Sequence, residues 1–288
     1  MSNVRGEKSL KKQTVTKFII LLLVLGLNQS VYSEQQSLGE FEDHRYDSPI
    51  TSTGAMRAVE GTVQSSEIVY GQTNDQSHQG YFSRPQNTKP TAGLIVIHEW
   101  WGLNEDIHLM TDQIAGLGYA SLAVDLYDGQ SATKVKDAFQ LSTNLSKNED
   151  AALANLQAAY DYLVNEVGVE KVGIIGWCLG GKWSLRGALM LPNQIDATVI
   201  YYGSLIDDKE RLATLEMPII GFVGTKDRLH KQFIQFERDL EALNKDASIH
   251  IYEGARHAYA NASGIAYEPV AAEDSWKKTV NFLAAHLD

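Results

Sequence analysis

One short segment, residues 176–181, constrains the fold of this chain more than any other. It directly follows the apolar run 172–175 and reads Gly176-Trp177-Cys178-Leu179-Gly180-Gly181. Glycines two residues before and two residues after a nucleophilic side chain are typical of a sharp strand-to-helix turn. The turn leaves no room for side chains at those positions, and the helix must pack closely against the strand. The segment therefore predicts a strand that ends here and a helix that begins at Leu179.

Cys178 is the candidate nucleophile of this turn, and it is the single cysteine of the 288 residues. The turn exposes the thiol, and the positive end of the helix dipole favours its thiolate form. A lone cysteine cannot form a disulfide within the chain, so in an oxidising compartment it needs either burial or a task. The alternative is a small buried cysteine at a glycine-rich helix entry.

The N-terminal residues have the pattern of a signal peptide over 1–33. Basic residues precede the ten-residue apolar stretch 18–27, and small residues at 31–33 suit a signal peptidase. The stretch is short for a membrane span, so an uncleaved anchor is the less favoured alternative. We expect an exported protein, periplasmic or secreted, with no stable membrane insertion after cleavage. A polar N-terminal arm, 34–61, then precedes a single domain, 62–288.

The charge of the chain argues against several classes of partner. The net charge is −11, and removal of residues 1–33 leaves 20 basic and 35 acidic residues, or −15. Such a surface repels nucleic acid and anionic membranes. No spacing typical of metal ligands occurs, so no metal and no cofactor are predicted.

Strands and helices alternate along the predicted domain. Unbroken apolar runs separated by helices are typical of a mainly parallel sheet with helices on both faces, an α/β fold. Two short stretches, 67–70 and 80–82, predict an antiparallel N-terminal hairpin with a long loop over 72–79. The later strands are predicted at 93–98, 119–126, 172–175, 197–202, 218–223 and 248–252, and the helices at 106–117, 134–145, 149–167, 179–191, 233–243 and 270–286.

A nucleophile at such a turn needs a base and an acid that orients the base, in the chain order nucleophile, acid, histidine. Asp227 follows the strand 218–223, and His257 follows the strand 248–252. Both therefore lie past the carboxyl ends of strands, where open α/β sheets place their chemistry. The alternatives are a helix N-cap or turn aspartate for Asp227 and a surface histidine bonded to a nearby carbonyl for His257. Asp207 and Asp208 are rival acids, but they follow the preceding strand.

A second motif, residues 98–104, follows the strand 93–98 and reads His98-Glu99-Trp100-Trp101-Gly102-Leu103-Asn104. In this fold the loop after that strand supplies one oxyanion donor, and the residue after the nucleophile supplies the other. The backbone N–H groups of Trp100 and Leu179 are therefore the predicted pair. Glu99 stands beside two tryptophans and is a candidate to contact the thiol and control its ionisation. The alternative is a glutamate that faces solvent or accepts from a backbone amide.

Several aromatic residues occur at or next to these strand ends. Each alone is more often plain packing, but together they favour a pocket for an apolar or ring-bearing acyl group. The predicted pocket residues are Trp101, Trp177, Tyr201, Tyr202 and Tyr259.

Taken together, these motifs resemble the dienelactone hydrolase family. The resemblance spans about residues 62–287 and includes, besides residues 176–181, His98-Glu99 with Gly102, Asp125-Leu126-Tyr127, Tyr201-Tyr202-Gly203, Asp227 and His257. It implies a single-domain α/β-hydrolase fold and a Cys-His-Asp triad that acts on enol-lactones. It further implies Cys178 as nucleophile, His257 as base and Asp227 as orienting acid. Glu99 would hold the resting thiol, and Trp100 and Leu179 would supply main-chain donors.

Two positions depart from the family pattern. The archetypal enzymes hold the carboxylate of the lactone with two arginines. One lies two residues beyond a Leu-Tyr pair, where this chain has Gly129, and the other lies four residues past the histidine, where it has Asn261. An anionic lactone would therefore lose its charge-assisted clamp. We expect a preference for neutral or aromatic acyl groups.

The resulting hypothesis is an exported, cofactor-free hydrolase of carboxylic esters, lactones or thioesters. Its partner is a small-molecule ester or lactone substrate, and it is a monomer or a small homo-oligomer. The alternative is a non-catalytic binding module or a thiol redox sensor on the same fold.

Overall fold

The computed structural model describes residues 57–74 and 76–288 of the chain. The predicted signal peptide, 1–33, and residues 34–56 of the predicted arm lie outside this described part. Within the described part, no helix combines the length and the apolar character needed to cross a membrane.

Eight strands form one sheet in the described part of the chain. In chain order they are β1 Val63–Thr73, β2 Gln76–Pro85, β3 Ala92–Ile97, β4 Ala120–Val124, β5 Lys171–Trp177, β6 Ala197–Tyr201, β7 Ile219–Gly224 and β8 Ala247–Tyr252. Across the sheet the order is β1-β2-β4-β3-β5-β6-β7-β8. The pairs β1–β2 and β2–β4 are antiparallel, and every other neighbouring pair is parallel. This confirms the predicted α/β-hydrolase fold with an antiparallel N-terminal hairpin.

The helices pack around this sheet. They are α1 Glu105–Gly116, α2 Val135–Lys147, α3 Glu149–Asp161, α4 Leu179–Met190, α5 Lys209–Leu212, α6 His230–Ala242 and α7 Pro269–Leu287. A π-helical segment, Tyr162–Val167, follows α3, so the predicted helix over 149–167 has two parts. The short helix α5 was not predicted. It begins after Asp208, whose carboxylate accepts hydrogen bonds from the amides of Glu210 and Arg211.

The central strands form the core of the molecule. Every residue of β3, β4, β6 and β7 is buried. Parallel strands covered on both faces show this pattern, because neither face is exposed to water. The unbroken apolar runs in the sequence therefore located these strands correctly.

The predicted long loop over 72–79 is wrong. The hairpin strands β1 and β2 stay paired as far as Thr73 and Gln76, so only positions 74 and 75 separate them. The error has a simple physical cause. β1 is an edge strand with mostly exposed side chains, and the polar residues that it tolerates look like loop residues in the sequence.

The turn at Cys178 depends on direct backbone contacts. A Cβ atom on Gly176 would lie 2.3 Å from the carbonyl carbon of Gly180, and one on Gly180 would lie 2.2 Å from the carbonyl oxygen of Ile97. Real Cβ atoms do not approach backbone atoms so closely. The two glycines thus allow β3, β5 and the first turn of α4 to meet.

We predict that Gly180→Ala destabilises the protein by about 2 kcal/mol, because the obstructing Ile97 oxygen is backbone and cannot move aside cheaply. The control is Gly187→Ala on the same helix. A Cβ there meets only side-chain methyl groups, Cδ1 of Leu156 at 3.2 Å and, more closely, the terminal Cδ1 of Ile174 at 2.6 Å. That methyl can rotate, and alanine favours a helix by about 1 kcal/mol over glycine, so we expect a change within about 1 kcal/mol. Urea unfolding measures both, and equal stabilities would contradict the contact.

Candidate active site

Cys178 lies at the junction of β5 and α4 in a strained conformation. Its φ is 55° and its ψ is −113°, a region that non-glycine residues rarely adopt. Its amide donates to the carbonyl of Tyr201 at 3.0 Å, and its own carbonyl accepts from the amide of Lys182 at 3.1 Å. These bonds fix the backbone on both sides of the thiol. The side chain is 9% exposed, so it is shielded but lies at the edge of the core.

Asp227 and His257 come together because the loops after β7 and β8 touch. A Cβ on Gly224 would lie 2.1 Å from the carbonyl oxygen of Ala255, so the two loops run in backbone contact. His257 Nδ1 lies 2.8 Å from Asp227 Oδ2, and both side chains are buried. The other carboxylate oxygen accepts from the amide of Leu229 at 2.8 Å. Asp227 thus closes a turn before the helix α6, whose N-cap is Leu229, and orients the imidazole at the same time.

The electrostatics of this pair favour an imidazolium. Burial lowers the pKa of His257, but the charges of Asp227 and Cys178 and hydrogen bonds with both raise it, and its net pKa lies well above the ordinary value. For Asp227, burial raises the pKa, while the charge of His257 and hydrogen bonds from His257 and Leu229 lower it. The net pKa of Asp227 lies below its ordinary value. The charges of Cys178 and Asp227 therefore both act on the imidazole of His257.

Glu99 is largely buried and is held by a neutral partner. The amide Nδ2 of Asn261 donates to Glu99 Oε2 at 2.5 Å. The Oδ1 of Asn261 in turn accepts from the backbone N–H of Ser263 at 2.9 Å, and Ser263 Oγ lies 2.7 Å from Asp106 Oδ2. The contact between Asn261 and Glu99 differs from both alternatives considered for Glu99 and gives the departure at position 261 a structural role.

His98 fixes the loop that carries Glu99. The amide of Leu126 donates to His98 Nε2 at 3.2 Å, so this nitrogen is the acceptor and Nδ1 carries the proton. Nδ1 then donates to the carbonyl of Glu99 at 2.6 Å. Burial lowers the pKa of His98, which keeps the ring neutral and this tautomer in place. His98 thereby links the ends of β3 and β4.

The two predicted oxyanion donors lie on segments that pack against each other. Leu179 is the first residue of α4, and a helix leaves its first amides without intrahelical partners. A Cβ on Gly180 would come within 2.8 Å of the carbonyl oxygen of His98. The start of α4 is therefore in contact with the strand end that leads into Trp100.

A cavity of about 50 Å³ is lined by Glu99 and Asn261 and by Trp177, the residue before Cys178, whereas Cys178, Asp227 and His257 themselves are not among its lining residues. Among the predicted pocket residues, Trp177 and Tyr202 line it, together with Glu99. The structure places Trp101, Tyr201 and Tyr259 in the surrounding core instead. The remaining lining residues are Arg57, Asp106, Ile107, Met110, Gln113, Ala260, Asn261, Ala262 and Tyr267.

Arg57 is a wall residue of this cavity that the sequence did not indicate. Its Nε lies 3.0 Å from Glu273 Oε2, its Nη2 donates to the carbonyl of Ala272 at 3.0 Å, and its guanidinium lies over the ring of Trp276. Its own carbonyl accepts from Gln113 Nε2 at 2.9 Å. This end of the predicted polar arm is thus packed against α1 and α7. Its positive charge is already paired with Glu273.

No group of three His, Cys, Asp or Glu side chains that could hold a metal ion occurs within residues 57–74 and 76–288.

Comparison with known proteins gives consistent results. Residues 78–287 match the family model described as the dienelactone hydrolase family. "Protein usf" of Aquifex pyrophilus is 31% identical over 230 residues, which cover 77% of this chain and 99% of that protein. The "Probable 2-oxo-3-(5-oxofuran-2-ylidene)propanoate lactonase" of Bradyrhizobium sp is 28% identical, covering 75% and 92%. The crystal structure of a dienelactone hydrolase from Anabaena variabilis superposes with a TM-score of 0.61 at 20% identity, covering 78% and 99%. At that identity the last match concerns the fold alone.

We predict that Asp227→Asn lowers the pKa of His257, because the charge of Asp227 is the largest influence that raises it while the burial that lowers it remains. A raised folded-state pKa stabilises the protein fully below the unfolded pKa of histidine, and that contribution is lost as the pH rises through the folded value. The variant should therefore lose stability relative to wild type most clearly at pH values below the unfolded-state pKa of histidine. Histidine NMR titration and unfolding against pH measure both effects.

The control for this prediction is Asp208→Asn. This change removes a carboxylate that caps α5 and contacts backbone amides. The His257 pKa should stay where it is. An unchanged His257 pKa in Asp227→Asn as well would contradict the proposed coupling.

Proposed function

This chain belongs to the dienelactone hydrolase family, and from that premise we propose that it hydrolyses esters, lactones or thioesters through an acyl-thioester on Cys178. The observation that carries the proposal is the buried pair of Asp227 and His257, with Nδ1 and Oδ2 2.8 Å apart, whose imidazole also has Cys178 as a neighbour. A nucleophile, a base and an orienting acid in hydrogen-bonding sequence are the requirement for covalent acyl transfer.

The proposed reaction has two halves. His257 takes the proton of Cys178, and the thiolate attacks the carbonyl carbon. The oxyanion accepts hydrogen bonds from the amides of Trp100 and Leu179, each worth up to about 3 kcal/mol in the transition state. As the tetrahedral intermediate collapses, His257 returns the proton to the leaving oxygen or sulfur, and the acyl group stays on Cys178. Water deprotonated by His257 then attacks the thioester, and the acid and the free thiol are released.

In this proposal Asp227 acts on the imidazole of His257, and Glu99 acts on the thiol of Cys178. Asp227 holds the imidazole in its tautomer and favours its protonated form, which in turn favours a thiolate partner. Glu99 lines the cavity together with Trp177, the residue before Cys178, and Asn261 holds its carboxylate in one orientation. We propose that Glu99 interacts with the resting thiol, as the family resemblance implies, and that Asn261 takes the structural place of the absent arginine.

The substrate that we propose carries a neutral acyl group. The cavity wall contains the carboxylates of Glu99 and Asp106, while the guanidinium of Arg57 is bound by Glu273. Glycine and asparagine at positions 129 and 261 supply no replacement charge. A small apolar or aromatic acyl group against Trp177 fits these surroundings better than a carboxylate.

We further propose export through the signal peptide at 1–33 and function as a monomer or a small homo-oligomer. The basic and apolar segments of that region are the support for export. The binding-module or redox-sensor alternative is less well supported, because neither role needs an oriented Asp227–His257 pair beside the thiol.

We predict that Cys178→Ala lowers turnover of an activated short-chain ester by about 10⁴-fold or more, because no other group can form the acyl intermediate. The variant should keep its circular dichroism spectrum and melting temperature. Undiminished hydrolysis would refute the mechanism. No hydrolysis by the wild type, together with an alkylation rate by iodoacetamide no higher than that of free cysteine, would favour the binding alternative.

We predict that lactones with a free carboxylate are cleaved with at least about 10-fold lower kcat/KM than neutral lactones of the same ring, because the cavity wall carries the carboxylates of Glu99 and Asp106 and the guanidinium of Arg57 is paired with Glu273. Measuring both substrates at about 0.05 M and about 0.5 M salt separates two causes. Repulsion by the overall charge of −11 is screened at high salt, whereas an effect of the cavity persists. Faster cleavage of the anionic lactone would refute the substrate proposal.

A further inference from the structure

Tyr202 has a buried hydroxyl with no hydrogen-bond partner among the described residues. The whole residue is 0% exposed, so solvent does not hydrate it. An unpaired buried hydroxyl is unfavourable, and folded proteins contain few of them. Phenylalanine would fill the same space without that cost. The adjacent Tyr201 is a useful contrast, because its hydroxyl lies 2.7 Å from Thr279 Oγ1 and therefore has a hydrogen-bond partner within the fold.

The backbone of Tyr202 is also strained. Its φ of 35° is positive, which is a genuine outlier for an aromatic residue. The amide of Tyr202 donates to the carbonyl of Phe222 at 2.8 Å, and a Cβ on the next residue, Gly203, would lie 2.2 Å from the amide of Lys182. The backbone of Tyr202 and Gly203 is thus held between β7 and the first turn of α4. Such strain persists only where the surroundings enforce it, and it is concentrated at functional sites.

The surroundings of Tyr202 are those of the proposed reaction. It lines the same cavity as Glu99 and Trp177, and its ring meets the ring of His257 edge-on with 5.2 Å between centroids. Burial, followed by the charge of Glu99 and, to a lesser extent, of Cys178, raises the pKa of the Tyr202 hydroxyl well above its ordinary value. The group therefore remains protonated and is available as a donor.

We propose that the Tyr202 hydroxyl is a catalytic hydrogen-bond donor to an oxygen atom of the bound substrate. The inference rests on the proposed function, because it needs a substrate in the cavity beside Cys178. No covalent bond changes at the tyrosine, which keeps its proton and donates most strongly when negative charge develops on that oxygen in the transition state. The hydroxyl is unpaired in the free protein because its partner arrives with the substrate.

The test is Tyr202→Phe, with Thr198→Val as the matched control. Thr198 lies on β6, the strand that ends just before Tyr202, and is also 0% exposed with a hydroxyl that has no partner among the described residues. It does not line the cavity. Both variants remove one unpaired buried hydroxyl, so neither should lower the urea midpoint of unfolding. Only Tyr202→Phe should lower kcat, by about 10- to 100-fold, with KM changed by less than about 2-fold.

Three results would overturn the inference. A clear loss of stability in Tyr202→Phe but not in Thr198→Val would mean that the hydroxyl is bonded within the folded protein. An unchanged kcat in Tyr202→Phe, measured where Cys178→Ala is inactive, would leave the proposed function standing and remove the donor role alone. Full activity of Cys178→Ala, or an inactive wild type, would defeat the proposed function and this inference with it.

Discussion

The contact between Gly176, Gly180 and Ile97 is the constraint on which the rest of the site depends. It is an approach of backbone to backbone, since any Cβ at either glycine would lie within 2.3 Å of a main-chain atom. Helix α4 can begin immediately after β5 only because Gly176 and Gly180 have no side chain that would separate it from β3. That closeness forces Cys178 into a positive φ and turns its side chain away from the strand. It also places the amide of Leu179 beside the loop that carries Glu99 and Trp100.

A second backbone-to-backbone contact brings Asp227 and His257 together. β7 and β8 are parallel neighbours, so the loops that follow them emerge at one edge of the sheet. Gly224 lets these loops touch, and Asp227 and His257 then meet inside the protein rather than at its surface. Burial makes their charges interact strongly, because little water screens them. The short distance between loops therefore determines both the geometry and the protonation of the imidazole.

The sequence predicted those parts of the site that depend on local patterns. Cys178, Asp227 and His257 each follow an apolar run, and the order of the three along the chain limits where each can lie. Other parts depend on tertiary contacts that leave no local signal. Asn261 contacts Glu99 across 162 positions, and Arg57 reaches Glu273 across 216. The loop at 72–79 was mispredicted for a related reason, since the polarity of an edge strand reflects its place in the sheet. Aromatic character alone likewise did not separate Tyr202, which lines the cavity, from Tyr201 and Tyr259, which do not.

Backbone strain occurs at both Cys178 and Tyr202. Six non-glycine residues in the described part of the chain have a positive φ: Asn74, Asp128, Cys178, Tyr202, Asn244 and Ala258. Asparagine and aspartate adopt this conformation comparatively readily, so three of the six need no special cause. The other three are Cys178, Tyr202 and Ala258, the residue after His257. The start of α4 contacts the backbone at two of them, through Gly180 against β3 beside Cys178 and through Gly181 against Tyr201 and Gly203. One helix entry thus packs closely against the backbone next to both strained residues.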